Sequence, residues 1–105
     1  MAYPAMRVVA QKNLEAFWTV HAETEIPLRT WLEATRAANW ATMNDVQARW
    51  PKAKVLNGER VRFEICGGDY RLIVAIYFPA KMIWVKFVGT HAEYDKIDAL
   101  TVSEF

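Results

Sequence analysis

From Arg60 to Val88 the chain alternates between apolar and polar positions with a period of two, the pattern of half-buried strands. Val61, Phe63 and Ile65 share one side of the first strand, and Arg60, Arg62 and Glu64 share the other. Gly67-Gly68 reads as a two-residue hairpin turn, because glycine takes positive φ without steric cost. That turn sets Ile65 opposite Tyr70, Glu64 opposite Arg71 and Phe63 opposite Leu72. A second turn at Ala80-Lys81 sets Phe78 opposite Ile83, Ile76 opposite Val85 and Ala75 opposite Lys86. One face then carries Val61, Phe63, Ile65, Leu72, Val74, Ile76, Phe78, Ile83, Val85 and Phe87, with no polar group. The other carries Arg62, Glu64, Arg71, Ile73, Ala75, Tyr77, Met82, Trp84, Lys86 and Val88. A slip of one residue would mix the two sets, so the pattern specifies register.

The apolar face needs a cover, and helical periodicity upstream supplies it. Met6 to Gln11 reads as a short strand at the edge of the sheet or beside it. Asn13 is the expected cap of a helix running to about Glu23, with Leu14, Phe17, Trp18 and His21 on one stripe. Pro27 suits the first turn of a second helix, which carries Leu28, Trp31, Leu32 and Thr35 and ends near Asn39. A short third helix is expected between Trp40 and Pro51, capped by Asn44. A loop with an Asn57-Gly58 turn follows, together with a short strand around Lys54 to Leu56. Met1 to Ala5 reads as a leader. The fold class is α+β, with residues 6–105 as one domain.

Composition narrows the function only a little. Apolar residues make up 53% of the chain and charged residues 24%, as in a folded domain rather than a disordered segment. No apolar run approaches the roughly 20 residues that span a bilayer, and no secretory signal is visible. A single cysteine, Cys66, cannot form an internal disulfide, which fits a cytoplasmic protein. Net charge is only +1, yet seven Lys/Arg stand against three Asp/Glu between Lys52 and Lys86, while acids dominate after Glu93. Such local asymmetry suits a polyanion docking on one side of the sheet. It also suits strands that merely carry charge to stay soluble.

Several chemistries lack their sequence signatures. His21, His91 and Cys66 are scattered, without metal-ligand spacing. Gly67-Gly68 lies in a hairpin, not between a strand and a helix, so it is no phosphate-binding loop. No G-x-S-x-G elbow occurs. His21 reads as a helix-face histidine and Cys66 as a strand-end thiol, although a thiol-dependent enzyme remains a competing reading. No cofactor is implied.

The segments GGDYRLIVAIYF and KFVGTHAEYD, with the opening MRVVAQKNL, resemble HigB-type toxins of bacterial toxin–antitoxin modules, members of the RelE-like superfamily. The resemblance covers roughly Met6 to Ile97. It implies an N-terminal strand and two helices packed on one face of a curved antiparallel sheet, then a short C-terminal helix. It implies an endoribonuclease that cleaves mRNA, commonly on the ribosome. The partners it implies are a HigA-like helix-turn-helix antitoxin, mRNA and the ribosome, with DNA reached only through the antitoxin. The competing reading is a non-catalytic module of the same shape that binds an antitoxin or the ribosome.

RNA cleavage needs the 2′-hydroxyl deprotonated, the phosphorane charge stabilised and the 5′-oxygen protonated. Arg71 matches the family's Y-R arginine and would clamp the scissile phosphate; alternatively it pairs with Glu64 across the strands. His91 falls where relatives often carry a basic residue, and imidazole titrates near neutrality. Its bland role is to orient the final turn. Tyr94 resembles the C-terminal tyrosine that stacks on a base or assists proton transfer, or else it packs on the sheet. Lys86 would add charge stabilisation. Arg62 and Arg60 are expected phosphate contacts, and Trp84 and Tyr77 expected platforms for unpaired bases. Relatives often place lysines where this chain has Arg60, Arg62 and Glu64, so the general base is not identified by the resemblance.

Overall fold

The alternating region forms three antiparallel strands around which the other elements are arranged. A computed structural model describes residues 5–105; Met1 to Pro4, most of the expected leader, lie outside the described residues. In chain order the elements are β1 (Arg7–Val9), α1 (Gln11–Val20), α2 (Glu25–Ala37), α3 (Met43–Arg49), β2 (Lys54–Val55), β3 (Arg60–Ile65), β4 (Tyr70–Tyr77), β5 (Met82–Thr90) and α4 (His91–Tyr94). The five strands form one sheet in the order β1-β5-β4-β3-β2. β1 joins β5 in parallel and the other pairs are antiparallel, so the sheet is mixed.

The helical stripes face the sheet as their spacing predicts. Leu14 and Trp18 of α1, and Leu28, Trp31, Leu32 and Thr35 of α2, are buried. They pack with Val61, Phe63, Ile65, Leu72, Val74, Ile76, Ile83 and Val85 in one core. Phe17 and His21 sit at its margin, ring on ring at 4.4 Å. Pro27 lies in the first turn of α2, where its missing N–H costs nothing.

The expected caps differ from the observed ones. α1 begins at Gln11 behind Ala10, which adopts a left-handed conformation, so Asn13 lies inside the first turn. The helix ends at Val20, and a 3₁₀ turn over Ala22–Thr24 links it to α2. α3 is capped by Thr42 rather than Asn44. The Thr42 hydroxyl accepts from Asp45 N–H (3.4 Å), while Asp45 Oδ2 accepts from the N–H groups of Ala41 (2.8 Å) and Thr42 (3.2 Å). These backbone donors hold the Asp45 carboxyl below its ordinary value.

The β3–β4 register is as expected, Ile65 facing Tyr70 and Phe63 facing Leu72. The connection is a four-residue loop rather than a two-residue turn, with positive φ at Cys66, Gly67 and Gly68. The next hairpin closes through Phe78–Ala80 and a left-handed Lys81, which moves the β4–β5 register by two: Ile76 faces Ile83, not Val85. A shift of two keeps every side chain on its expected face. The parity breaks further along. Val74 faces Val85 but Ile73 faces Phe87, so Lys86 is an extra residue at a β-bulge. Beyond it the faces swap relative to the sequence expectation. Val88 enters the helix-side core, and Phe87 turns to the opposite face, where it is nonetheless buried.

Leu72 lies at the centre of the sheet, fully buried under the helices. Leu72→Ala is expected to cost about 2–5 kcal/mol through lost burial and the cavity it leaves. The check is a lower urea midpoint with an unchanged denaturant slope.

Candidate functional site

The face of the sheet away from α1 and α2 holds the charged residues that the alternation assigned to it, and chain after β5 folds back over that face. α4 is anchored by a reciprocal cap: Thr90 N–H donates to Glu93 Oε1 (2.8 Å), and Glu93 N–H to the Thr90 hydroxyl (3.1 Å). His91 N–H donates to Asp69 O (2.9 Å), tying α4 to the β3–β4 loop. Tyr94 then lies over Phe87, ring centroids 6.4 Å apart. Gly89 makes the approach possible. A Cβ there would stand 2.6 Å from Phe87 Cζ and 3.1 Å from Glu93 Oε1.

Around Tyr94 the first group of charged side chains converges. The guanidinium carbons of Arg62 and Arg71 lie 5.6 and 5.5 Å from its ring centroid, so one ring is shared by two cations. Arg71 Nη1 donates to Glu64 Oε1 (3.1 Å), the cross-strand pair that the register predicts. The Arg71 side chain is only 11% exposed and that of Glu64 30%. The Nε atoms of Arg62 and Arg71 are both buried without a partner. Guanidinium groups with spare Nη donors, beside a carboxylate that takes only one of them, favour an incoming anion. One turn before Tyr94, the exposed His91 holds Asp95 Oδ2 at 3.3 Å from its Nδ1. That contact leaves Nε2 as the nitrogen directed away from Asp95.

The second group is separate. Arg60, Lys86, Trp84 and Tyr77 line a groove of about 850 Å³ at the other end of the same face. Tyr77 is 55% exposed, while Trp84 is half-buried. The C-terminal segment crosses this end: Arg60 Nη1 donates to Ala99 O (3.2 Å) and Val102 O (2.7 Å). Lys86 Nζ reaches Ser103 Oγ at 3.5 Å, and Glu104 N–H donates to Lys86 O (3.0 Å). The eight residues singled out from sequence thus fall into two sets, Arg62, Arg71, His91 and Tyr94 against Arg60, Lys86, Trp84 and Tyr77. The sequence reading gave residues 98–105 no part in this face. Its contacts run through backbone carbonyls and a hydroxyl, which leave no signature in the sequence.

Cys66 belongs to neither set. It lies at the end of β3 on the helix side, its thiol donating to Glu23 O (3.4 Å). Burial pushes that thiol up, and the carboxylates of Glu23 and Asp69 push it further. A thiol pushed up holds less of its thiolate form, which gives no support to a thiol nucleophile. Beside it the Tyr70 hydroxyl donates to Glu23, a bond that pushes the phenol up to about 12 and lowers the Glu23 carboxyl.

Among the described residues no group of three His, Cys, Asp or Glu side chains is placed to hold a metal ion, and no helix is long and apolar enough to cross a membrane. The family model for the HigB toxin, described as the RelE-like toxic component of a toxin–antitoxin system, matches residues 24–97, from the turn before α2 to just past α4. No curated protein matches the chain.

Gly89→Ala should be disruptive although glycine is only one methyl smaller. The added Cβ forces Phe87 and the Glu93 cap to move, and with them Tyr94. The expected loss is about 1–3 kcal/mol of stability, as for overpacking. It should be accompanied by altered near-ultraviolet circular dichroism from the displaced rings.

Proposed function

The chain belongs to the HigB family of RelE-like toxins, and from that premise we propose that it is an endoribonuclease that cleaves mRNA by attack of a 2′-hydroxyl. The observation that carries the reading is the pair of arginines, Arg62 and Arg71, ranged around Tyr94 with donors unspent. The scissile phosphate lies against Arg71, whose guanidinium stabilises the charge that builds on the phosphorane. Arg62 holds a neighbouring phosphate or the same one from its far side. The 2′-oxygen attacks the adjacent phosphorus, a 2′,3′-cyclic phosphate forms, and the bond to the 5′-oxygen breaks. A proton leaves the 2′-hydroxyl and another reaches the 5′-oxygen.

His91 carries one or other transfer, with Asp95 on Nδ1 orienting the ring so that Nε2 is directed away from Asp95. Tyr94 supplies a ring for a base to stack on and a hydroxyl to assist proton transfer. Glu64 Oε1 accepts from Arg71 Nη1, and its role is to orient that guanidinium. Lys86, Arg60, Trp84 and Tyr77 extend the path along the sheet and contact the RNA beyond the cleaved bond. The substrate is mRNA held on the ribosome in the cytoplasm, and toxicity is relieved by a HigA-like helix-turn-helix antitoxin, through which alone the toxin reaches DNA.

A second reading is favoured by the burial of Arg71 against Glu64 and by the segment lying across Arg60 and Lys86. In it the chain binds an antitoxin or the ribosome and cuts nothing. Primer extension on transcripts after induction separates the two, since a binder leaves messages intact.

Arg71→Ala is expected to reduce cleavage by about 10²-fold or more, the usual loss for a group stabilising transition-state charge, with thermal unfolding still cooperative. Arg71→Lys should recover only part, because an ammonium lacks the planar fork. Full toxicity in Arg71→Ala would refute the site. Cys66→Ser is expected to leave cleavage within about twofold of the parent, given a thiol pushed up. The same primer-extension assay reads it.

A further inference from the structure

β2 pairs with only the first part of β3: Lys54 faces Arg62, Val55 faces Val61, and Phe63–Ile65 are left as an open stretch of sheet edge. The direction of the backbone groups there follows from the bonds on either side. Leu56 N–H donates to Arg60 O (2.8 Å) across β2–β3, and Ile76 N–H donates to Glu59 O (2.7 Å) on the β4 side. Even-numbered residues of β3 therefore turn their N–H and C=O toward the open edge, which makes Glu64 the residue with both groups facing outward.

This edge forms one wall of a groove of about 580 Å³, whose other wall is α2 and the turn after α3. Trp31, Trp50 and Phe63 line it, with Pro27 and Thr30 at the α2 side. The indole N–H groups of Trp31 and Trp50 are both buried without an acceptor, and Trp31 is 1% exposed. Arg49, its guanidinium 4.0 Å above the Trp50 ring, and Lys52 also line the groove. The acid in its lining, Glu64, is engaged by Arg71.

We infer that this groove takes an extended segment of the antitoxin, which adds as a strand to the free edge of β3. The segment's backbone pairs with Glu64, and an apolar side chain seats in the groove against the half-buried Trp50. A carboxylate on the segment meets Arg49 and Lys52, so the segment is acidic as well as apolar. The inference rests on the chain being the toxin of a toxin–antitoxin pair and is independent of whether it cleaves RNA. An uncovered edge beside an apolar groove invites unwanted pairing, and a bound strand removes that liability.

The test uses the full-length toxin co-expressed with its cognate antitoxin. Hydrogen exchange should show the Glu64 amide slowing on complex formation. Thr30→Arg, at an exposed position of the groove's mouth, and Lys52→Glu, in an exposed turn, should each weaken antitoxin binding by about tenfold or more. Val20→Arg, on exposed α1 outside the groove, should leave binding within about twofold. Melting curves confirm folding, and Lys52→Glu carries the test if Thr30→Arg does not fold. Unchanged affinity in the folded groove variants, or protection appearing elsewhere and not at Glu64, overturns the inference. So does loss of mRNA cleavage with antitoxin affinity intact, which would make the groove an RNA subsite.

Discussion

A single extra residue in β5 determines what the outer face of this sheet can hold. Because Lys86 is accommodated as a bulge between Val85 and Phe87, Phe87 points away from the helices and Val88 points toward them. Had the alternation continued unbroken, Phe87 would join the helix-side core and the outer face would offer α4 a valine in its place. Phe87 instead supplies the buried floor on which Tyr94 rests, and Gly89 leaves room for its ring. The bulge thus converts an amphipathic strand into a platform with a small core of its own, formed by Phe87 and the fully buried Ile73.

That platform changes the behaviour of the cations beside it. On a plain solvated strand Arg62 and Arg71 would be screened by water, and a pair with Glu64 would contribute about 0–1 kcal/mol. Here Tyr94 covers both guanidinium groups, and their Nε atoms are shut away from solvent without acceptors. A buried donor without an acceptor is costly, while the Nη donors that Glu64 leaves unspent remain for an anion. Fixed donors in a site of low dielectric need no reorganisation when charge develops, which is the condition for electrostatic stabilisation of a transition state. Under the ribonuclease reading Glu64 serves as the orienting partner of Arg71, its Oε1 already taken by Nη1.

What the sequence revealed depended on the range over which each signal acts. Period-two alternation is local, and it located β3, β4 and β5 and sorted most of their side chains correctly. The β3–β4 register followed because Gly67 and Gly68 mark the loop, even though the loop has four residues. The β4–β5 register slipped by two because Pro79 and Lys81 do not distinguish a two-residue turn from a 3₁₀ turn closed by a left-handed lysine. The bulge was invisible because V-K-F-V scans as apolar-polar-apolar-apolar, and nothing in it says whether Phe87 or Val88 faces the helices. Asn13 and Asn44 looked like caps because asparagine favours that position, but Ala10 and Thr42 take it. The placement of residues 98–105 across Arg60 was a tertiary fact, made through backbone carbonyls and a hydroxyl that leave no signature in the sequence.

The bonds that hold this last segment differ in kind from those a nucleic acid would make. Arg60 is held by two neutral backbone carbonyls, and Lys86 by a hydroxyl at 3.5 Å. The guanidinium donor is charged in both cases, but a phosphate adds a charged acceptor, and Arg60 can meet it with two parallel donors. The segment covering Arg60 and Lys86 is otherwise mostly exposed, with Leu100 51% accessible, so little apolar burial opposes its departure. At the other end of the face, by contrast, α4 is locked by a reciprocal cap and by Tyr94 on Phe87. The two halves of the sheet therefore differ in how their covers are anchored as well as in chemistry. Under the ribonuclease reading, the end that positions reacting atoms is the one held in place, and the end that only tracks the backbone is the one whose cover can yield to a polyanion.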